Sequence, residues 1–170
     1  LTQAAAMADV VIVDRDAKED IWGLAGDLVV KSGKPVIAVG AGDDHFNPCG
    51  CAIVAWNGSS ARVAALQAAT PLLQLSSSVI LLEIEDGSVE TPARDAAAYL
   101  SRHGVHPLIR FERPRGRKAS DIILEEVHDR GADYLVMGGF GHSRLTETLF
   151  GGVTRTMIAQ CPVPLALMHG

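Results

Sequence analysis

From residue 50 to the end of the chain, short apolar runs alternate with longer amphipathic stretches, and this alternation restricts the fold more than any single motif. Strands are expected at Cys51–Trp56, Val79–Ile84, His106–Phe111, Ala132–Gly138 and Val163–His169, and helices at Ser60–Leu75, Ala93–His103, Ala119–Arg130 and Gly152–Gln160. Near-continuous apolar strands separated by helices predict βαβ crossovers and a parallel sheet buried on both faces. The punctuation agrees. Ser59 or Ser60 can cap the first helix, Pro92 opens the second, and Gly104 and Gly131 follow the second and third. Hydrophobic residues make up 48% of the chain but aromatic ones only 5%, so the core is aliphatic, as an α/β sheet requires.

A length of 170 residues allows one domain, or a domain plus a fragment. The formal charge of −5 argues against nucleic acid as a partner, because neutralising phosphates needs a basic surface. The one basic run, Arg110 to Lys118, reads as a solvated loop between a strand and a helix. Cys49, Cys51 and Cys161 make no disulfide framework, and Cys49-Gly50-Cys51 lacks the second pair or histidine that a metal site would need. With no signal peptide or membrane-length apolar run, a cytoplasmic location and no membrane partner are expected.

The apolar run Tyr134–Met137 delivers the chain into Gly138-Gly139-Phe140-Gly141, and Gly151-Gly152 follow ten residues later, ahead of a helix. Glycines let backbone N–H groups approach an anion with no Cβ in the way, and the first turn of a helix adds free N–H groups. The array therefore reads as a phosphate cradle. No Ser/His/Asp or Cys/His arrangement stands beside it, Glu83 and Asp121 have no metal-ligand spacing, and His103, His106 and His128 are scattered. Binding is expected in preference to catalysis, with at most slow, incidental hydrolysis of a bound ligand.

Residues 1–46 repeat part of this pattern. Ala8–Val13 parallels Ala132–Met137, and Lys34–Val39 parallels Val163–Met168, with a helix expected at Asp20–Ser32 between the copies' strands. Where the second copy has glycines the first has Asp14-Arg15-Asp16, so its cradle is lost and its role is structural. Two strands and one helix cannot close a core alone and must pack on the complete unit or on another chain. The start at Leu1, without Met, reads as a piece of a longer protein.

The segment Gly138-x2-Gly141-x9-Gly151-Gly152, after a strand ending in Met-Gly and before a Pro-Val-Pro-Leu strand, resembles the Gly-x2-Gly-x9-Gly-[Ser/Thr] motif of the universal stress protein family. Ala55-Trp56-Asn57-Gly58-Ser59 is a second matching segment. The resemblance is to tandem members. It implies a complete flavodoxin-like (Rossmann-like) α/β domain over 50–170, a five-stranded parallel sheet of order 3-2-1-4-5 with helices on both faces. Residues 1–46 would then be the C-terminal strand–helix–strand fragment of a degenerate first domain. Carried over by position, Gly138, Gly141, Gly151, Gly152 and Val153 would hold ribose and phosphate, while Ala55, Asn57 and Ile84 would line adenine.

Two departures stand out: Gly152 replaces the family's Ser/Thr, and Asn57 replaces its Asp. Losing one neutral hydrogen bond costs on the order of 1 kcal/mol, a few-fold to tenfold in affinity, so weakened binding is expected. His142, Ser143 and Thr154 are substitute phosphate donors. The implied ligand is ATP, AMP or ADP, with Mg or Mn arriving on its phosphates, in a stress-response module signalling by nucleotide; a purified protein without nucleotide is equally consistent. A different class of function is a ligand-free interaction module, with a relic glycine loop, that dimerises or pseudo-dimerises through Val163–His169 and Pro35–Val39. A weaker alternative is an α/β enzyme that uses a nucleotide.

Overall fold

A computed structural model describes residues 7–16, 33–40, 42, 45–85, 89–140 and 152–169. Its elements are β1 Val11–Asp14, β2 Val36–Val39, β3 Cys51–Trp56, α1 Ser60–Leu73, β4 Ser78–Ile84, α2 Ala93–Arg102, β5 Leu108–Glu112, α3 Ala119–Asp129, β6 Tyr134–Phe140, α4 Gly152–Gln160 and β7 Leu165–His169. The helix expected at Asp20–Ser32 lies outside the described residues.

The strands form a single seven-stranded sheet in the order β1-β2-β7-β6-β3-β4-β5. Counted within the unit from β3 onward, this is the expected order 3-2-1-4-5, all parallel. The sheet then continues past the five expected strands, because β2 joins β7 antiparallel and β1 joins β2 parallel. One face packs Ile53, Ala55, Leu82, Leu135 and Leu167 beneath Ile123 of α3 and Met157 of α4. The other packs Val54, Leu81, Val136 and Ala166 beneath Leu66 of α1 and Leu100 of α2. Each fully buried Leu or Ile contributes roughly 1.5–3 kcal/mol, so two aliphatic layers suffice without aromatic bulk. Tyr134, the largest fully buried side chain among the described residues, keeps its hydroxyl 2.6 Å from Ser76 Oγ. Burial pushes the Tyr134 phenol above its ordinary range, and the Ser76 bond partly opposes this.

Local chemistry sets the element ends. Gly104 and Gly131 take φ of +80° and +56°. After them Val105 N–H donates to Leu100 O and Ala132 N–H to Val127 O, the 6→1 bonds of a Schellman ending. Ser59 is the N-cap of α1, but its hydroxyl makes no capping bond; instead Ser59 N–H donates to Asn57 Oδ1, an Asx turn. Strand β5 begins at Leu108, two residues later than expected, because Pro107 has no N–H to give the ladder. Helix α1 stops at Leu73, with Pro71 in its last turn. Buried Glu83 accepts the N–H of Ala93 at 2.6 Å, tying the end of β4 to the first turn of α2.

The register carries a further regularity. Val11, Ile12, Val13 and Asp14 face Val36, Ile37, Ala38 and Val39, just as Leu135, Val136, Met137 and Gly138 face Leu165, Ala166, Leu167 and Met168. Between the two halves Ile37 faces Ala166, flanked by Val36–Leu167 and Ala38–Leu165. Exchanging the repeats leaves that seam unchanged, so a local two-fold axis passes beside Ile37 and Ala166. Equivalent residues also share faces: Val36 with Leu165, and Ile37 with Ala166.

Candidate functional site

In a doubly wound sheet, ligands sit where the chain leaves neighbouring strands in opposite directions, beyond their carboxyl ends. Here that point lies between β3, which leads on to β4, and β6, which leads on to β7. A cavity of about 180 Å³ opens there. Ala55, Asn57, Ile84 and Val153, expected from the sequence at a nucleotide, all line it. So do Trp56, Arg62, Leu82, Ala119 and Ile123, which were not expected there. Leu82 and Ile84 reach the cavity by the period-two alternation of β4, and Ala119 and Ile123 by i, i+4 spacing at the start of α3.

The remaining expected residues fall elsewhere. Gly138 ends the described apolar part of β6 but does not line the cavity. A Cβ built on it would come 3.0 Å from Ala65 Cβ and 3.1 Å from Arg62 Cγ, so glycine here lets α1 lie close against β6. It is not among the described glycines with positive φ, so the left-handed freedom that makes a glycine cradle attractive is not what this position uses. Gly152 opens α4 in open space, with nothing within 4 Å of a built Cβ, so a serine would fit where the family carries one. Thr154 is buried within the α4 packing at 5% exposure and does not line the cavity. Gly141, His142, Ser143 and Gly151 lie outside the described residues.

Asn57 shows how the site is held. Its carbonyl oxygen is committed to Ser59 N–H at 3.2 Å, a role an aspartate would fill equally, while its amide nitrogen donates to nothing among the described residues. The next residue, Gly58, has φ of +71°, and its carbonyl accepts from Thr91 N–H at 3.1 Å. Trp56 Nε1 donates to Thr91 O at 2.9 Å. The 56–58 turn is thereby locked to the loop ahead of α2, and Asn57 is presented to the cavity on a fixed backbone.

The dyad-related strand end is chemically different. Asp14 stands at the Gly138 position, and its carboxylate accepts Asp16 N–H at 2.9 Å. Arg15 donates through its backbone to Val39 O at 2.7 Å, and its guanidinium occupies the space a Cβ on Gly40 would need. Carboxylates and an arginine fill that end.

The basic run from Arg110 is only partly a loop: Arg110 to Glu112 belong to the edge strand β5, and the segment from Arg113 to Lys118 is largely exposed. Arg113 pairs with Glu85 at 2.8 Å, Arg117 with Glu125, and Arg110 with Glu126 at 3.4 Å. These partners hold the Arg113 and Arg117 guanidiniums further toward the charged form. Among the described residues, no three His, Cys, Asp or Glu side chains group as a metal site, and no helix is long and apolar enough to cross a membrane.

The architecture defines a doubly wound α/β module with a small cavity of mixed polar and apolar lining at its switch point. Residues 52–169 match the profile of the universal stress protein family, and the chain belongs to that family. Among solved structures it is similar to a universal stress protein from Archaeoglobus fulgidus DSM 4304, with a TM-score of 0.71 at 17% identity, covering 99% of this chain and 63% of that one. It is also similar to a putative universal stress protein from Pseudomonas aeruginosa UCBPP-PA14, with a TM-score of 0.60 at 15% identity, covering 98% and 65% respectively. The chain thus spans less than two-thirds of the length of either. No curated protein matches it.

Proposed function

We propose that this universal stress protein module binds an adenine nucleotide, with the base in the cavity between β3, β4 and α3, and that it acts in stress response by nucleotide-dependent signalling. The observation that carries the reading is the convergence of Ala55, Asn57, Ile84 and Val153, drawn from four separate elements and turns, on one cavity. Apolar walls from Leu82, Ile84 and Ile123 suit a flat base, and the uncommitted amide of Asn57 suits a ring nitrogen. At about 180 Å³ the cavity is smaller than the roughly 300–1,000 Å³ of a typical whole-ligand site, so it suits the base and leaves ribose and phosphates toward the ends of β6 and α4. Mg or Mn would come with the phosphates. Residues 1–46 are read as the end of a preceding domain that contributes packing and no second site.

Calorimetric titration with ATP, ADP and AMP, with and without Mg²⁺, tests this. Absence of heat and of any thermal shift at millimolar nucleotide overturns it. Gly152 gives a second test. Serine there meets no neighbour, restores a hydroxyl at the first turn of α4, and replaces a poor helix former. Gly152→Ser is expected to tighten ATP or ADP binding about three- to tenfold, one neutral hydrogen bond, without lowering the thermal midpoint.

A second reading is an interaction module, and it rests on the β1 edge. Ile12 is 63% exposed and Val10 43%, beside an apolar groove of about 500 Å³. Pairing through β2 and β7 is already made within the chain, so association would use β1 instead. A monomer by light scattering at high concentration would remove this reading.

A further inference from the structure

We propose that a second cavity, at the carboxyl ends of β4 and β5 and lined by the arginines of the basic run, is a binding site for a compact polyphosphate group. It is separate from the base cavity and does not rest on the nucleotide reading.

The fold sets the basic run around a space of about 600 Å³. Arg113, Arg115 and Arg117 line it from the segment after β5, and Arg94 joins them from the first turn of α2. Among the described lining residues these four arginines face two carboxylates, Glu85 and Glu112. Both carboxylates are engaged: Glu85 accepts from Arg113 at 2.8 Å, and Glu112 from Arg110 at 3.2 Å. Arg117 donates to Glu125. Arg94 and Arg115 make no ion pair among the described residues.

Arg115 singles this cavity out. Its φ is +46°, and among the described residues it is the one non-glycine residue in the left-handed region. Gly116 follows at +84°, and Arg117 N–H donates to Pro114 O at 2.8 Å, so residues 114–117 make a type I′ turn. Glycine, asparagine and aspartate dominate the central positions of such turns, whereas a longer side chain there brings its Cβ against the backbone. An unfavourable backbone kept at a residue lining a cavity marks a position held for its side chain.

The chemistry selects the ligand. Guanidiniums stay charged at any working pH, and their planar paired donors match phosphate oxygens two at a time. Four of them around one space suit several adjacent phosphates better than a lone one. The half-exposed Phe111 ring gives the same space an apolar wall, beside which charge pairing is weakened less than in open water. The volume falls within the roughly 300–1,000 Å³ of ordinary small-ligand sites.

Calorimetric titration of the intact chain with tripolyphosphate, orthophosphate and hexaglutamate tests the site. Tripolyphosphate is expected to bind at low salt with a Kd below about 1 mM, at least about fivefold more tightly than orthophosphate, and to weaken as salt rises. Arg94→Gln is expected to weaken it about three- to tenfold. Arg115→Gly removes a guanidinium and relieves the turn, so it is expected to lower affinity by a similar factor while raising the thermal midpoint, a combination that a structural role alone does not produce. Arg102→Gln, at the far end of α2 and outside the cavity, loses the same charge and should bind within about twofold of wild type. Ala55→Leu, which narrows the base cavity, should do the same. Absence of tripolyphosphate heat at millimolar concentration, equal loss in Arg94→Gln and Arg102→Gln, or loss in a folded Ala55→Leu overturns the site. Hexaglutamate binding as tightly as tripolyphosphate overturns the phosphate assignment in favour of an acidic peptide. A chain that binds tripolyphosphate but not adenosine keeps this site and loses only the base-site reading.

Discussion

Replacing Gly58 with alanine is expected to cost at least about 3 kcal/mol of stability and to abolish nucleotide binding under conditions where the wild-type chain binds. Gly58 has φ of +71°, a conformation that costs an L residue roughly 1–2 kcal/mol. A Cβ there would lie 2.2 Å from Thr91 O and 2.5 Å from Thr91 N, and these are backbone atoms that cannot rotate aside. Relieving the clash moves the loop that accepts Trp56 Nε1–H at 2.9 Å and donates to Gly58 O at 3.1 Å. Each broken bond adds about 0.5–1.5 kcal/mol, and overpacking typically adds about 1–3 kcal/mol. Urea denaturation reads the loss. Gly152→Ala, at an exposed glycine with no neighbour within 4 Å, is the control and should not lower stability. Equal midpoints for Gly58→Ala and Gly152→Ala would mean the 56–58 turn is not locked as described.

Ala55→Leu should separate binding from folding. Ala55 is 6% exposed and borders the cavity on the side it shares with Leu82 and Ile84. A larger side chain in a packed core costs about 1–3 kcal/mol, but here a void of about 180 Å³ lies beside it. Filling a void returns on the order of 24 cal/mol per Å³, so the stability of Ala55→Leu should hold or rise by about 1 kcal/mol. The same atoms occupy the space proposed for the base, so ATP affinity should fall about a hundredfold or more, about 2.8 kcal/mol. A stable Ala55→Leu that still binds ATP normally would place the ligand elsewhere.

Much of the fold was legible because its signals are local. The apolar run Cys51–Trp56 is long enough for a strand and too short for a helix, and Gly104 and Gly131 mark helix ends through their own backbone angles. The repeat was legible because Ala8–Val13 and Ala132–Met137 align residue for residue. The site was legible only in part. Ala55 and Asn57 lie at a strand end that the chain order identifies, whereas Arg62, Ala119 and Ile123 reach the cavity only once α1 and α3 are laid on the sheet. Nothing in the sequence around Ala119 indicates that its helix begins beside β3's end, since that follows from the strand order. Gly138 shows the opposite case. A glycine after an apolar strand reads as an anion cradle, and its surroundings also show a helix packed against it. Absence of a Cβ serves both purposes, and sequence alone does not distinguish them.

The seam between β2 and β7 obeys a symmetry that the ends of β1 and β6 do not. Assemblies with two equal sites across a dyad can respond steeply, because filling one site changes the other. In this chain the halves are fused and unequal, with Asp14 at one strand end and Gly138 at the other. Occupancy of the proposed site then follows a simple hyperbola with one ligand per chain and a Hill coefficient of about one. Under the proposed function, such a chain would report nucleotide level gradually, as a gauge and not as a switch.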